Sequence, residues 1–184
     1  MLHNAVPFIC AIWGMIVFLV TLLILTPIYL VIFLIMGQKG QRVAHRVSRA
    51  WARVLFTALL IRVKVHHKAI LEPDQTYIFV ANHSSQLDIP GMTVATDHFF
   101  KFLAKEELRK IPLLGYIIKH LYLTVNRQSR KARAQSMQLM KNALENGTSV
   151  VIYPEGSRNR TDQPLMRFFD GAFQLGVQSG YPIA

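Results

Sequence analysis

His83 and Asp88 stand five residues apart in the stretch VANHSSQLDIP, directly after the apolar run at 77–81. A neutral imidazole can take a proton near pH 7, and a carboxylate on its other nitrogen fixes the tautomer and stabilises the imidazolium that forms. That pairing is the base half of a Ser-His-Asp arrangement, which is recognised by role and geometry and not by order in the chain. The attacking group is then either Ser84 or Ser85, or a hydroxyl that the substrate brings; a serine next to the base in sequence must bend sharply to reach its ring. The spacing alone is a weak signal, since His67 and Glu72 repeat it. The rival pair lies in HHKAILEP, a polar connection with no strong strand leading into it. The plain alternative for His83 is a turn-closing histidine that bonds a carboxylate away from any chemistry.

Two arginines add a constraint. Arg127 follows the run LYLTV, and Arg158 closes Pro-Glu-Gly-Ser-Arg after the run TSVVIY. Arginine grips phosphate or carboxylate through paired hydrogen bonds. Glu155 could orient Arg158 or an acceptor hydroxyl, and Gly156 would let the backbone approach a ligand closely. For either arginine alone, a solvated surface position is an equally good account.

The elements that must hold these residues are short. IRVKVH at 61–66 alternates apolar and basic residues as a half-exposed strand would; TYIFVA, HFFKFLA, LYLTV and TSVVIY are further β-branched or aromatic runs. Residues 129–145 are rich in Ala, Gln, Met, Lys and Leu and end at Asn146-Gly147, predicting a helix with a glycine stop; residues 170–178 predict another. Met137 and Met140 sit at helical spacing and read as core. Strands alternating with helices argue for an α/β domain with a largely parallel sheet flanked by helices. In such sheets reactive groups gather beyond the carboxyl ends of strands, which is where His83, Arg127 and the segment from Pro154 to Arg158 fall.

The chain has 184 residues, 21 Lys and Arg against 10 Asp and Glu, and a net charge of +11, which suits an anionic partner. Residues 5–36 contain no Asp, Glu, Lys, Arg or His. A continuous helix of that length would run about 48 Å, beyond a hydrocarbon core of about 30 Å. Pro27 is expected to break it, leaving one kinked spanning helix or two shorter helices that enter and leave on one side. Residues 1–38 thus predict a hydrophobic membrane anchor. After Lys39, Arg42, Arg46, Arg49 and Arg53 recur at helical spacing, with Val43, Val47, Trp51 and Val54 on another face; residues 39–60 predict a basic interfacial helix on anionic lipid. Positive-inside asymmetry puts the chain beyond Lys39 on the cytoplasmic face of the membrane. The single cysteine, Cys10, lies in the apolar segment, so no disulfide framework exists.

The motifs NHSSQLD, FLAKEELRKIPLLGYIIK, VNR, YPEGSRNR, FFDGAFQLG and GYPIA, in this order and spacing, resemble the glycerolipid acyltransferases typified by 1-acyl-sn-glycerol-3-phosphate acyltransferase. The resemblance covers about residues 61–184 and the hydrophobic N-terminal anchor. It implies a glycerolipid-acyltransferase-like fold, with His83 as general base and Asp88 as its partner. It further implies that Arg127, Glu155, Gly156, Ser157 and Arg158 contact a glycerol phosphate acceptor, and that Lys105 is a basic position near the membrane side. The implied partners are a lysophospholipid acceptor, acyl-CoA or acyl carrier protein as donor substrate, and membrane lipid; no cofactor and no metal are expected. Asn126, Ser157 and Phe169 stand where many members have Asp, Thr and Lys. The fourth motif is cut at Ala184, which implies an acyltransferase domain truncated at its C-terminus.

Three rivals are kept: a transferase for another lyso-phospholipid, a hydrolase using Ser84 or Ser85, and a catalytically decayed lipid-binding membrane protein. Nucleic-acid binding is not expected, because no stacking aromatics interleave with the basic run.

Overall fold

The structure, a computed structural model, describes residues 2–66, 71–125 and 129–184, with side chains from Phe8 onward. The chain divides into two compact units, residues 1–68 with 90–96 and residues 69–89 with 97–184.

The first unit is a helical hairpin. Helix α1 (Leu2–Met36) is 35 residues long, about 52 Å at 1.5 Å per residue. It is long and apolar enough to cross a membrane, and Ile, Leu, Val and Phe stay exposed around it. The expected break at Pro27 does not occur; α1 runs through it. Pro27 lacks the N–H that would reach the Leu23 carbonyl, and in the same turn Thr26 Oγ1 donates to the neighbouring Leu22 carbonyl at 2.7 Å. The corner at 37–40 turns on Gly37 in the left-handed region (φ +52°) and on Gly40, where a Cβ would meet Ile32 Cγ2 at 2.8 Å.

Helix α2 (Gln41–Ala58) returns antiparallel to α1: Tyr29 Oη meets Ser48 Oγ at 2.8 Å, and Trp13 Nε1 donates to the Ala58 carbonyl at 3.0 Å. Ala44, Ser48 and Ala52, four residues apart, let the backbones approach, and Ala44 and Ala52 are fully buried. The packed face of α2 is Ala44, His45, Ala52, Leu55 and Phe56, while Val43, Val47 and Trp51 are half-buried and Val54 is exposed. Arg42, Arg46 and Arg53 are exposed. Arg49 departs from that open basic face: its guanidinium donates to the Thr93 and Thr96 carbonyls at 3.2 and 2.7 Å. Thr93 lies in the last turn of α3 (Asp88–Ala95) and Thr96 directly follows it, the end where a cation is favoured by the helix dipole.

The second unit holds a four-stranded, wholly parallel sheet. Its strands are β1 (Ile78–Val80), β2 (Phe100–Lys105), β3 (Tyr122–Val125) and β4 (Ser149–Ile152), in the order β1-β4-β2-β3. Helix α4 (Leu114–Leu121) connects β2 to β3, α5 (Arg130–Glu145) connects β3 to β4, and α6 (Gly171–Ser179) comes after β4. Ser129 caps α5 by accepting from the Ala132 amide, and Gly147 (φ +69°) ends the helix turn. Residues 182–184 lie beside β1, with the Ile78 amide donating to the Pro182 carbonyl at 2.9 Å and a parallel bridge from Ile78 to Ile183.

Period-two alternation gives the sheet two chemically different faces. One is aliphatic: Ile78, Val150, Ile152 and Leu123 pack with Met140 and Leu144 of α5 and with Ala172 and Leu175 of α6. The other is aromatic: Phe79, Phe100, Phe102 and Tyr122 meet ring to ring. The expected strand at 61–66 does not form; these residues are exposed and outside the sheet. Alternation alone does not make a strand without a neighbour to complete its hydrogen bonds.

Candidate active site

The adjacency of β1 and β4 brings two loops together beyond their carboxyl ends, one carrying His83 and the other running from Tyr153 to Asn159. His83 Nδ1 lies 2.9 Å from Asp88 Oδ2, and both side chains are partly shielded, at 16 and 24 % exposure. The same Asp88 oxygen accepts the amides of Ser84 and Ser85 at 2.7 and 2.8 Å. Three donors on one carboxylate oxygen fix its position at the start of α3. Because Asp88 holds Nδ1, Nε2 is the ring nitrogen left to accept a proton; among the described residues it makes no hydrogen bond. The serines serve the turn: Ser85 Oγ accepts from the Leu87 amide at 3.1 Å.

The β4 loop clamps the backbone of the histidine. Glu155, 2 % exposed, accepts the His83 amide on Oε1 at 3.0 Å, and the Asn159 amide donates to the His83 carbonyl at 2.6 Å. Glu155 Oε2 is buried without a partner among the described residues. Gly156 adopts φ +73° and closes a turn onto the Tyr153 carbonyl at 3.0 Å, a conformation that favours glycine.

Tyr153 lies nearly parallel over the imidazole, with ring centroids 4.3 Å apart and planes 19° apart. Its phenol is shifted up, first by burial and then by the Asp88 charge and Tyr122, so it stays protonated across the physiological range. Arg158 is half-buried, and among the described residues its guanidinium forms no hydrogen bond or ion pair; Ser157 and Lys105 are exposed. Chemically, this is a base with a fixed tautomer, an aromatic backing and a cation on the adjoining loop.

A family model described as acyltransferase matches residues 62–184. The chain belongs to that acyltransferase family. It is 30 % identical over 170 residues to a 1-acyl-sn-glycerol-3-phosphate acyltransferase of Chlamydomonas reinhardtii, a match covering 89 % of this chain and 48 % of the relative. It is 33 % identical over 147 residues to a lyso-ornithine lipid O-acyltransferase of Pseudomonas aeruginosa, covering 77 % of this chain and 54 % of that protein. The chain spans about half the length of the curated relatives it matches. The crystal structure of the 1-acyl-sn-glycerophosphate acyltransferase of Thermotoga maritima shares the fold, with a TM-score of 0.80, 23 % identity, and coverage of 98 % of this chain and 73 % of that one.

Within this member of the acyltransferase family, the structure brings together His83, Asp88, Glu155 and Gly156 from two loops. Glu155 meets the base through the backbone of His83, a contact that motif spacing does not specify. Arg127 lies outside the described residues. Tyr153 and Asn159 also contact His83, although neither residue type in the motif YPEGSRNR announces it. A signal for Tyr153 existed: it comes directly after β4, two residues beyond Val151, and so projects on the aromatic face.

Proposed function

We propose that the chain is a membrane acyltransferase that moves a fatty acyl group from a thioester, acyl-CoA or acyl carrier protein, to the free hydroxyl of lysophosphatidate, giving phosphatidate. Nε2 of His83 takes the proton of the acceptor hydroxyl as its oxygen attacks the thioester carbonyl carbon. The tetrahedral oxyanion collapses, the C–S bond breaks, and the leaving thiolate takes the proton back from the imidazolium. No acyl-enzyme forms. General-base catalysis of this kind contributes about 10² to 10⁴ in rate, and positioning of the two substrates contributes much of the remainder. Arg127 and Arg158 hold the acceptor phosphate, with Gly156 and Ser157 lining its approach and Glu155 fixing the base. Residues 1–38 anchor the chain, residues 39–60 carry the interfacial charge, and residues 61–184 work on the cytoplasmic face.

The observation that carries this reading is the 2.9 Å contact between His83 Nδ1 and Asp88 Oδ2, which leaves Nε2 as the proton acceptor. Support for the acceptor class comes from the Chlamydomonas relative and from the open cation at Arg158. A second acceptor class is favoured by the similarity to the lyso-ornithine lipid enzyme, which is the higher of the two identities. The test is transfer of labelled acyl groups from acyl-CoA to a panel of lyso-lipids in membranes holding the full chain. Lysophosphatidate is expected to be the best acceptor, and His83→Ala is expected to lose transfer by about 10²-fold or more. Undiminished transfer by folded His83→Ala removes the base assignment. A fluorophosphonate adduct on Ser84 or Ser85 would replace it with a hydrolase mechanism.

A further inference from the structure

His83 is held at three places by polar contacts, at its amide, its carbonyl and Nδ1. The aromatic face of the sheet adds a fourth contact, against the plane of the ring. Phe102 of β2 is in register with Tyr122 of β3 on one side and with Val151 of β4 on the other. Its ring stacks on Tyr122 at 5.6 Å and 29°, and lies almost parallel to Tyr153 at 6.2 Å and 9°. Tyr153 in turn lies over the imidazole at 4.3 Å and 19°. Tyr122, Phe102, Tyr153 and His83 therefore form one row of stacked rings from the edge strand β3 across the sheet to the base. The inner members are fixed by strand register, and Phe102 is 6 % exposed.

We propose that Tyr153 is a positioning residue for the proton transfer: its ring, backed by Phe102, holds the His83 imidazole with Nε2 toward the acceptor and favours the imidazolium formed as the thioester is attacked. This rests on the assignment of His83 as the base. An aromatic face stabilises a cation stacked on it and has no comparable attraction for the neutral ring, so the stack assists the protonated state more than the resting one. The contribution belongs to the ring and not to the phenol oxygen. Tyr153 Oη is buried and makes no hydrogen bond among the described residues, so it is engaged neither with His83 nor with Asp88.

The experiment compares Tyr153→Leu, Tyr153→Met and Tyr153→Phe in the full chain, in proteoliposomes for kinetics and in micelles for histidine NMR. The His83 resonance is identified by its loss in His83→Gln. In the parent its ring protons are shifted upfield by the stacked ring; the shift disappears in the Leu and Met variants and returns in Phe. The aliphatic variants lose kcat by roughly tenfold to a hundredfold while KM for donor and acceptor stays within about twofold. Tyr153→Phe rescues both kcat and the upfield ring shift. Parental kcat in the Leu or Met variant, whichever folds, overturns the proposal, and so does a Phe variant as impaired as the aliphatic ones. Failure of the base assignment is separate: it shows as full activity in His83→Ala, whereas an inactive His83→Ala beside a fully active Tyr153→Leu sinks the stacked row alone.

Discussion

The hairpin and the end of the sheet differ in how they use most of their polar groups, although buried atoms without a hydrogen bond among the described residues occur in both, Trp51 Nε1 in α2 and Tyr153 Oη and Glu155 Oε2 at the sheet end. In the hairpin, Thr21 and Thr26 return their hydroxyls to backbone carbonyls one turn back, Trp13 donates to Ala58, and Tyr29 meets Ser48. Those contacts satisfy donors within the hairpin itself, as a membrane setting would require. At the sheet end, His83 Nε2, Glu155 Oε2, Tyr153 Oη and the Arg158 guanidinium have no partner among the described residues, although three of the four residues lie on one loop. A buried polar group without a partner costs about 1–3 kcal/mol. The open oxygen of Glu155 and the half-buried Arg158 beside a held histidine fit the acceptor site proposed above. Stability is therefore expected to reside in the hairpin's closed polar contacts, and activity in the open ones at the sheet end.

The largest effect expected from breaking that division is at Asp88. Asp88→Asn keeps the size of the side chain but replaces the carboxylate that accepts from Nδ1 and from two amides. The tautomer with a free Nε2 is then no longer enforced, and kcat falls by about 10² to 10⁴. The stability of the hairpin is expected to be unchanged, because no hairpin side chain bonds to Asp88 among the described residues. Acyl transfer measured beside detergent melting checks both halves. A variant that loses hairpin stability as much as activity would erase the contrast.

Glu155 sharpens the comparison because it belongs to both categories. Oε1 supports the His83 amide and Oε2 is open. Glu155→Ala leaves the His83 amide buried without its acceptor and is expected to cost about 1–3 kcal/mol together with a loss of transfer. Glu155→Gln retains a carbonyl oxygen for the amide and is expected to recover most of the stability. If Gln recovers stability but not turnover, Oε2 meets the substrate; if it recovers both, the residue acts through the backbone of the base.

Local causes were open to a reading of the sequence and distant ones were hidden from it. The four strands of the sheet and α5 were legible because period-two runs and a Ser cap with a glycine stop are local signals. Helices α3 and α4 were not: each is eight residues long, with Pro90 and Gly91 inside one and Gly115 inside the other. Gly115 is there because a Cβ would meet the Arg109 carbonyl oxygen at 2.1 Å, a tertiary reason no local pattern encodes. His83 and Asp88 were readable as a pair because both lie in one turn. The stack of Tyr153 on His83 joins residues of two strand ends that are far apart in sequence, and only the β1-β4 adjacency creates it. The uninterrupted passage of α1 through Pro27 was unreadable for a related reason, since the breaking power of proline is judged on an isolated helix and not on one with a partner helix packed along it.

The mirror experiment breaks the hairpin and spares the chemistry. Gly40→Ala places a methyl 2.8 Å from Ile32 Cγ2 and 3.2 Å from the Ile32 carbonyl oxygen, at the corner between α1 and α2. Overpacking of this kind costs about 1–3 kcal/mol. Melting in detergent is expected to occur at lower temperature, while kcat for transfer to micellar lyso-lipid stays at the parent value. A fall in kcat without a fall in stability would show that the corner is coupled to the reaction.

The smallest effect concerns Tyr153 at high pH. Its phenol is shifted up by burial, then by the Asp88 charge and Tyr122, above the ordinary value near 10 that it has in the unfolded chain. Between those two values the folded state binds more protons than the unfolded state, so stability falls with rising pH. The contribution is fully present below about pH 10 and is lost as pH climbs toward the folded value. Tyr153→Phe has no proton to lose, so its stability declines less steeply on the alkaline side, and the difference between the two curves isolates this one group from the lysines that titrate in the same range. The neutral-pH ends of the curves carry a second reading. Removing a buried hydroxyl that has no partner is expected to leave Tyr153→Phe at least as stable as the parent, whereas lower stability at neutral pH would mean that the hydroxyl is bonded, through water, to the open oxygen of Glu155 or to the base itself.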